Sequence, residues 1–127
     1  MKTVIKTDKA PAPIGPYNQA ILAGDFLFVS GQVAIDPATN ELIPLDDIET
    51  ETHQVMKNIK AILSEAGLDL SHVVKTTIFL ADMNDFVKVN AIYGSYFTDK
   101  FPARETVQVS VLPKKVNIEI SVTAYKG

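Results

Sequence analysis

The sequence predicts an α+β fold of two layers, in which two helices cover one face of a six-stranded, mostly antiparallel or mixed sheet. Strand-like segments with alternating apolar residues lie at both ends of the chain, and two helical stripes interrupt them. No linker or repeat divides residues 1–127, so one domain is expected. A chain of 127 residues that is 46% apolar can form one core without disulfide bonds, and it contains no cysteine.

The first half of the chain is expected to begin with a short strand near residues 2–6. Segment 10–16 contains three prolines, which lack backbone donors, so it must be irregular. Two strands, residues 17–23 and 26–35, then form a hairpin across the two-residue turn Gly24-Asp25.

A loop at residues 36–44 leads to the first helix. Asp46 or Asp47 can cap the start of this helix, and Gly67 can end it. Its apolar stripe has helical spacing and consists of Val55, Met56, Ile59, Ile62, Leu63 and Ala66.

The second half predicts a strand over residues 73–81 and a second helix that follows Asn84 and ends before Pro102. Its apolar stripe consists of Phe86, Val89, Tyr93 and Phe97. Two further strands are expected over residues 104–112 and 116–125, because apolar and polar side chains alternate in both. We expect the apolar face under the helices and the polar face toward water or another subunit.

Arg104 and Glu119 are the charged pair of greatest interest. If the last two strands pair as a hairpin, both residues lie on the polar face within one or two rungs, roughly 5 to 8 Å apart. Arg104 can then hold an anion through two hydrogen bonds while Glu119 orients or deprotonates a water. The alternative is a solvated ion pair worth about 0 to 1 kcal/mol.

Three other positions have both a binding and a structural interpretation. Asn90 falls on the apolar stripe of the second helix and can bind a substrate atom or a loop carbonyl. Ser30-Gly31-Gln32 interrupts an apolar strand, which indicates a close approach by a ligand or backbone, or a β-bulge. Tyr17 can point into a pocket or cap the core.

Several function classes are disfavoured. A net charge of −3 argues against nucleic acid as the main partner. The six glycines do not form a nucleotide-binding motif, and two histidines without cysteine give little support for a metal site. The apolar runs are too short to span a bilayer and the N-terminus does not resemble a signal peptide, so we expect a cytoplasmic protein.

Short motifs along the whole chain carry a family resemblance. They are Ile14-Gly15-Pro16-Tyr17-x-Gln19, Val29-Ser30-Gly31-Gln32, Val74-Lys75-Thr76-Thr77, Asp82-Met83-Asn84-Asp85-Phe86, Val89-Asn90, Tyr93, Pro102-Ala103-Arg104 and Ile118-Glu119-Ile120. In this order and spacing they resemble the reactive-intermediate deaminase family, RidA, formerly YjgF.

The resemblance implies a chorismate-mutase-like fold and a homotrimer whose sheets form a central barrel, with sites in clefts between subunits. It also implies hydrolysis of 2-imino acids, such as 2-iminobutanoate and 2-iminopropanoate, to 2-oxo acids and ammonia without metal or cofactor. Such a reaction protects pyridoxal-phosphate enzymes from damage.

The resemblance also implies roles for individual residues. Arg104 would hold the substrate carboxylate, with the backbone amide of Thr106 as a further donor, and Glu119 would position the attacking water. The pocket would be lined by Tyr17, Ser30, Gly31 and Asn90. Glu105 alternates to the face opposite Arg104, so we expect it near the strand end, paired or in water.

Two further functions stay open at this point. One is a trimer that binds a small acid or an apolar client without turnover, as a holdase does. The other is a ribonuclease, which the acidic composition makes the weaker candidate.

Overall fold

The computed structural model describes residues 1–127 as two layers, a sheet and a pair of helices. In chain order the elements are β1 (Lys2–Ile5), β2 (Ala20–Ala23), β3 (Phe26–Gln32), β4 (Ile35–Asp36), β5 (Glu41–Leu42), α1 (Ile48–Glu65), β6 (Val73–Leu80), α2 (Phe86–Gly94), β7 (Ala103–Gln108) and β8 (Ile118–Tyr125). Six strands form one sheet in the order β1-β2-β3-β8-β6-β7, and only β6 and β7 run parallel. This confirms the α+β class and the mixed six-stranded sheet.

Local signals place most element boundaries. The side chain of Asp47 accepts a hydrogen bond from the backbone N–H of Glu49 at 3.2 Å, which caps α1. Gly67 follows the helix with φ +76°, and Gly24 takes φ +61° in the β2–β3 turn. The predicted loop 36–44 instead contains the small β4–β5 hairpin, and α2 ends at Gly94, well before Pro102. Neither helix is long and apolar enough to cross a membrane.

The core lies between the helices and one face of the sheet, here called the helix face. On β8 the buried residues Ile118, Ile120 and Val122 alternate with Glu119 and its neighbours on the opposite, open face. The predicted α1 stripe is buried from Val55 to Leu63, and its last member, Ala66, is half-buried. The alternation that predicts β8 is therefore confirmed.

The expected hairpin between the last two strands is wrong. β6 lies between β7 and β8, pairing parallel with the first and antiparallel with the second. Helix α2 is the crossover that makes the β6–β7 pair parallel, and a nine-residue connection then carries the chain from Gln108 past β6 to Ile118.

The predicted faces of β7 are also wrong. Arg104 and Thr106 pair with Thr76 and Ile78, which are buried on the helix face, so they lie on that face too. Val107 lies on the open face and is exposed. The reason is that β7 is an edge strand at the border of the helical layer, where alternation no longer reports which face is buried.

Candidate active site

A cavity of about 390 Å³ opens beside the carboxylate of Glu119 and is called the Glu119 cavity. Four of the seven sequence-predicted site residues meet here: Tyr17, Ser30, Gly31 and Glu119. The remaining wall consists of Pro11, Ala12, Ile14, Gln19, Gln32, Val33, Ile35, Pro113 and Lys114. Segments far apart in sequence therefore converge on one carboxylate.

Gly31 makes room for that carboxylate. The β3–β8 register shifts between Val29 and Gln32, which is the β-bulge considered above. A Cβ atom built on Gly31 would lie 2.7 Å from Cδ and 3.0 Å from Cγ of Glu119, so no larger side chain fits without displacing Glu119. The bulge interpretation of this glycine is confirmed, and the group that approaches it closely is a side chain of the same chain instead of a ligand or another backbone.

The proline-rich wall is held by Gln19, which is buried. Its Nε2 donates to the carbonyls of Thr7 (3.0 Å), Ala10 (3.2 Å) and Pro11 (2.8 Å), and its Oε1 accepts from the N–H of Thr7 at 2.8 Å. These bonds satisfy backbone groups that the prolines leave without regular partners. The loop is thereby fixed as one side of the cavity.

Tyr17 and Ser30 lie at the mouth of this cavity. Tyr17 is 48% exposed, so the core interpretation of its ring is wrong. Its hydroxyl accepts a long hydrogen bond of 3.4 Å from the N–H of Ile14. Ser30 donates from Oγ to the carbonyl of Asn18 at 2.6 Å, which ties the bulge to the loop that carries Tyr17.

Glu119 itself is half-buried, and burial raises the pKa of its carboxyl above the ordinary value. Burial is the only cause, since no neighbouring donor or cation in the chain stabilises the charged form. A carboxylate of raised pKa in such a cavity is a stronger base than an ordinary carboxylate, which suits it to general-base catalysis.

A second cavity of about 450 Å³ surrounds Arg104 on the other side of the sheet and is called the Arg104 cavity. Its lining consists of Asn90, Tyr93, Gly94, Phe101, Pro102 and Arg104. Nη1 of Arg104 donates to Oδ1 of Asn90 at 2.6 Å. The guanidinium also lies over two rings, 5.3 Å from the centroid of Tyr93 and 5.7 Å from that of Phe86.

The surroundings of Arg104 correct the interpretation of Asn90. Asn90 is exposed rather than buried on the stripe, and its partner is a guanidinium instead of a loop carbonyl. Below it, Tyr93 is buried and donates from its hydroxyl to Oγ1 of Thr76 at 2.9 Å. A fixed ring and an amide therefore orient Arg104 toward the cavity, where its other donors can bind an anion.

Arg104 and Glu119 do not share a face, contrary to the expectation from the sequence. Glu119 pairs with Phe79 of β6 on the open face, whereas Arg104 pairs with Thr76 on the helix face. A whole strand separates them, which puts their Cα atoms more than roughly 10 Å apart. One small molecule cannot touch both groups of the same chain.

Two neighbours of Arg104 on β7 have separate surroundings. Glu105 lies on the open face, where it accepts a hydrogen bond from Thr77 at 2.8 Å and pairs with Lys75 at 3.2 Å. The bond from Thr77, followed by Lys75, lowers the pKa of Glu105. Glu105 is thus paired and exposed to solvent, and it does not compete with an anionic ligand for Arg104. Thr106 lines neither cavity, and its Oγ1 is buried without a partner.

Metal-binding groups are not clustered in this chain: no three His, Cys, Asp or Glu side chains are arranged to hold an ion. The two histidines lie outside both cavities. His53 places Nδ1 2.6 Å from the hydroxyl of Tyr96, and Nδ1 of His72 accepts from the N–H of Asp69.

Two residues near Glu119 were not found from the sequence. Glu51 is a buried carboxylate on α1, and its spacing of four residues before Val55 places it on the apolar stripe, which is the signal that could have identified it. Lys114 lines the Glu119 cavity from a turn with φ +58°, and no pattern in the sequence indicates this.

Comparison with known proteins gives consistent matches along the whole chain. A family described as Endoribonuclease L-PSP matches residues 7–126. A RutC family protein from Pyrococcus horikoshii is 56% identical over 126 residues, covering 99% of both chains. The 2-iminobutanoate/2-iminopropanoate deaminase of Mus musculus is 47% identical over 127 residues, covering 100% of this chain and 93% of that protein. The crystal structure of the YjgF gene product from E. coli matches with a TM-score of 0.93 and 43% identity, covering 98% of this chain and 99% of that one.

Proposed function

The chain belongs to the Endoribonuclease L-PSP family, which confirms the resemblance to RidA proteins, and from this premise we propose that it hydrolyses small 2-imino acids to 2-oxo acids and ammonia. The observation that carries the proposal is the half-buried carboxylate of Glu119, which has a raised pKa and faces a cavity of substrate size. The mouse relative named for this deaminase activity supports the choice of 2-iminobutanoate and 2-iminopropanoate as substrates. The proposal places the reaction in the cytoplasm.

The proposed site is shared between subunits of a homotrimer. Arg104 and Glu119 lie on opposite faces and on strands that do not adjoin, so a substrate that needs both must take them from two chains. The open face supports such an assembly, because three aromatic rings on it are 43–50% exposed and pack against one another: Phe26, Phe28 and Tyr125. Another subunit would bury them.

Arg104 binds the substrate in the proposed mechanism. One guanidinium nitrogen stays on Asn90, and the remaining donors hold the carboxylate of the imino acid through charge-assisted hydrogen bonds. The backbone amide of Thr106 adds a donor in this proposal. Tyr17, Ser30 and Gly31 line the side of the site where the C=N group lies.

Glu119 carries out the proton transfers. It orients a water toward C2 of the neutral imine, accepts a proton as the C–O bond forms and passes it to the imine nitrogen, which gives a 2-amino-2-hydroxy acid. The carboxylate then takes the proton of the new hydroxyl group as the carbonyl forms and gives it to the amino nitrogen as the C–N bond breaks, so that ammonia leaves. Water supplies the oxygen of the 2-oxo acid, and the carboxylate is regenerated.

Two alternative functions, ligand binding without turnover and RNA cleavage, predict different results. A binding protein or holdase would shift its melting temperature with 2-oxobutanoate but would not speed imine loss. A ribonuclease, which the family description favours, would cleave RNA at a rate that Arg104→Ala and Glu119→Gln change.

The test couples a threonine dehydratase to this protein and follows the loss of trappable 2-iminobutanoate. We expect acceleration over spontaneous hydrolysis at micromolar protein, unaffected by chelator, and no RNA cleavage. Imine loss at the spontaneous rate would overturn the proposal and leave the binding alternative.

A further inference from the structure

We propose that Glu51 is a positioning residue: its buried carboxylate on α1 fixes the start of β8 and thereby the direction in which Glu119 enters its cavity. The inference rests on the proposed role of Glu119. It concerns a group that does not itself line the Glu119 cavity.

The hydrogen bonds of the Glu51 side chain all go to the residues immediately before Glu119. Its Oε2 accepts from the backbone N–H groups of Asn117 at 2.8 Å and Ile118 at 3.3 Å, and its Oε1 accepts from Nδ2 of Asn117 at 2.8 Å. Nδ2 of Asn117 also donates to the carbonyl of Leu45 at 3.1 Å. Three donors from a two-residue segment thus converge on one side chain.

The start of β8 needs these acceptors because β3 ends at Gln32 and offers no further strand partner. On that side the ladder stops at the pair Gln32–Ile120, so the N–H groups of Asn117 and Ile118 lie beyond it. Glu51 takes the place of the missing strand partner. The segment that Glu51 holds therefore follows directly on the last paired residues beside the bulge that makes room for Glu119 over Gly31.

Burial makes this arrangement costly. Glu51 is 0% exposed, and burial raises the pKa of its carboxyl, although the bonds from Asn117 and Ile118 oppose that rise. An apolar residue at this stripe position would avoid the desolvation of a carboxylate. The cost is matched by a specific geometric result: a helix residue sets the position of a strand residue one step before Glu119.

A double-mutant cycle tests the proposal in the imine assay. Glu51→Ala should lower kcat about 10- to 100-fold, the scale expected for a misplaced catalytic group, with the affinity for 2-oxobutanoate retained. Glu51→Gln keeps an oxygen for the two backbone N–H groups and should restore most of kcat. In the Glu119→Gln background, Glu51→Ala should cause no further loss, because it acts through Glu119. Additive losses would overturn the proposal.

Two further variants distinguish a loss of kcat through misplacement of Glu119 from a loss through defective folding. Ile62→Ala removes a buried side chain of the same helix that has no polar contact with β8, so it should lower Tm but leave kcat unchanged well below Tm. Asn117→Ala removes only the side-chain donor, keeps the backbone bonds and should lower kcat by less than Glu51→Ala. If Asn117→Ala and Glu51→Gln both match wild-type kcat while Glu51→Ala fails to fold, Glu51 is structural and the proposal is wrong.

A measurement without turnover separates this proposal from the proposed function. Carbon-13 NMR of the Glu119 carboxyl gives its pKa directly. Glu51→Ala should lower that pKa toward the ordinary value as the strand start loosens and water enters, whereas Glu51→Gln, which removes the same charge, should leave it near wild type. An unchanged value in Glu51→Ala would contradict positioning even if the wild type hydrolyses imines. If the wild type does not hydrolyse imines but Glu51→Ala still lowers the pKa of Glu119, the positioning role holds and only the proposed function fails.

Discussion

The Glu119 cavity leaves its carboxylate without a partner, whereas in the Arg104 cavity the guanidinium has an amide and two aromatic faces. Burial alone acts on Glu119 and raises its pKa, while Arg104 donates to Asn90 and lies over the rings of Phe86 and Tyr93. The two cavities are on opposite faces of one sheet. In the proposed mechanism the first serves proton transfer and the second holds the substrate carboxylate.

The separation has a chemical consequence. If both groups met in one chain, they would form an ion pair, the pKa of Glu119 would fall, and Arg104 would have fewer donors for a substrate. On opposite faces of one chain they cannot form that pair, and we propose that two subunits bring them to the same substrate. The following predictions test that division of roles.

The largest effect is expected at Arg104. Arg104→Ala removes a charge-assisted contact worth about 1.5 to 3 kcal/mol per hydrogen bond, so kcat/KM should fall by roughly two to four orders of magnitude. Arg104→Lys should restore little, because a point charge cannot donate two parallel hydrogen bonds. Steady-state kinetics with 2-iminobutanoate measures both, and full activity in the lysine variant would contradict bidentate binding.

Glu119→Gln should reduce kcat about 100-fold or more while 2-oxobutanoate still binds, because shape is kept and basicity is lost. Wild-type kcat/KM should fall on acidification through the raised pKa of Glu119, and this limb should vanish in the variant. Calorimetric titration measures the binding of 2-oxobutanoate, and a pH–rate profile measures the acid limb of kcat/KM. A fully active glutamine variant would show that another group positions the water.

Glu119→Gln should be more stable than the wild type, although it is less active. A raised pKa in the folded state means that the protonated carboxyl favours folding: this contribution is complete below the unfolded pKa and is lost as pH rises through the folded pKa. Above the folded-state pKa the charged Glu119 therefore costs stability. Glu119→Gln should raise the free energy of unfolding by no more than about 1 kcal/mol, since solvent screens a half-buried charge. Urea denaturation at pH 7 measures it, and a destabilised variant would contradict the sign.

Gly31→Ala and a matched substitution at the Arg104 cavity compare the two cavities through steric effects alone. The added Cβ must displace the carboxylate of Glu119, so kcat should fall about tenfold with little change in Tm. Gly94→Ala is the matched substitution at the Arg104 cavity, where a Cβ meets no atom within 4 Å. It should cost far less activity, and equal losses in the two variants would mean that the contact with Gly31 does not set the position of Glu119.

How much of this was predictable depends on where each element lies in the sheet. β8 is a central strand under the helices, so its alternation correctly gave the buried face and put Glu119 on the other. β7 is an edge strand, and the same pattern there gave the wrong face for Arg104. Local sequence patterns could not predict the strand order either. The α2 crossover connects β6 to β7, and it places β7 beside β6 instead of β8.

The smallest effects concern the turns that border the cavities. Lys115, next to the Glu119 cavity, and Lys100, before Phe101 of the Arg104 cavity, have φ values of +56° and +48°. Glycine avoids the strain of a left-handed residue, so Lys115→Gly and Lys100→Gly should each stabilise the fold by about 1 kcal/mol. Thermal denaturation measures this, and a lower Tm in either variant would show that the lysine makes a compensating contact.

The most direct test of the shared site is complementation between two inactive variants. Arg104→Ala and Glu119→Gln chains with different affinity tags are expressed together, and mixed particles are isolated by two purification steps. Light scattering should show about three times the 13.9 kDa chain mass. In any mixed trimer one of the three interfaces holds an intact Arg104 facing an intact Glu119, so about one third of wild-type activity should return. Mixed particles no more active than either parent, or a fully active wild-type monomer, would contradict a site built from two subunits.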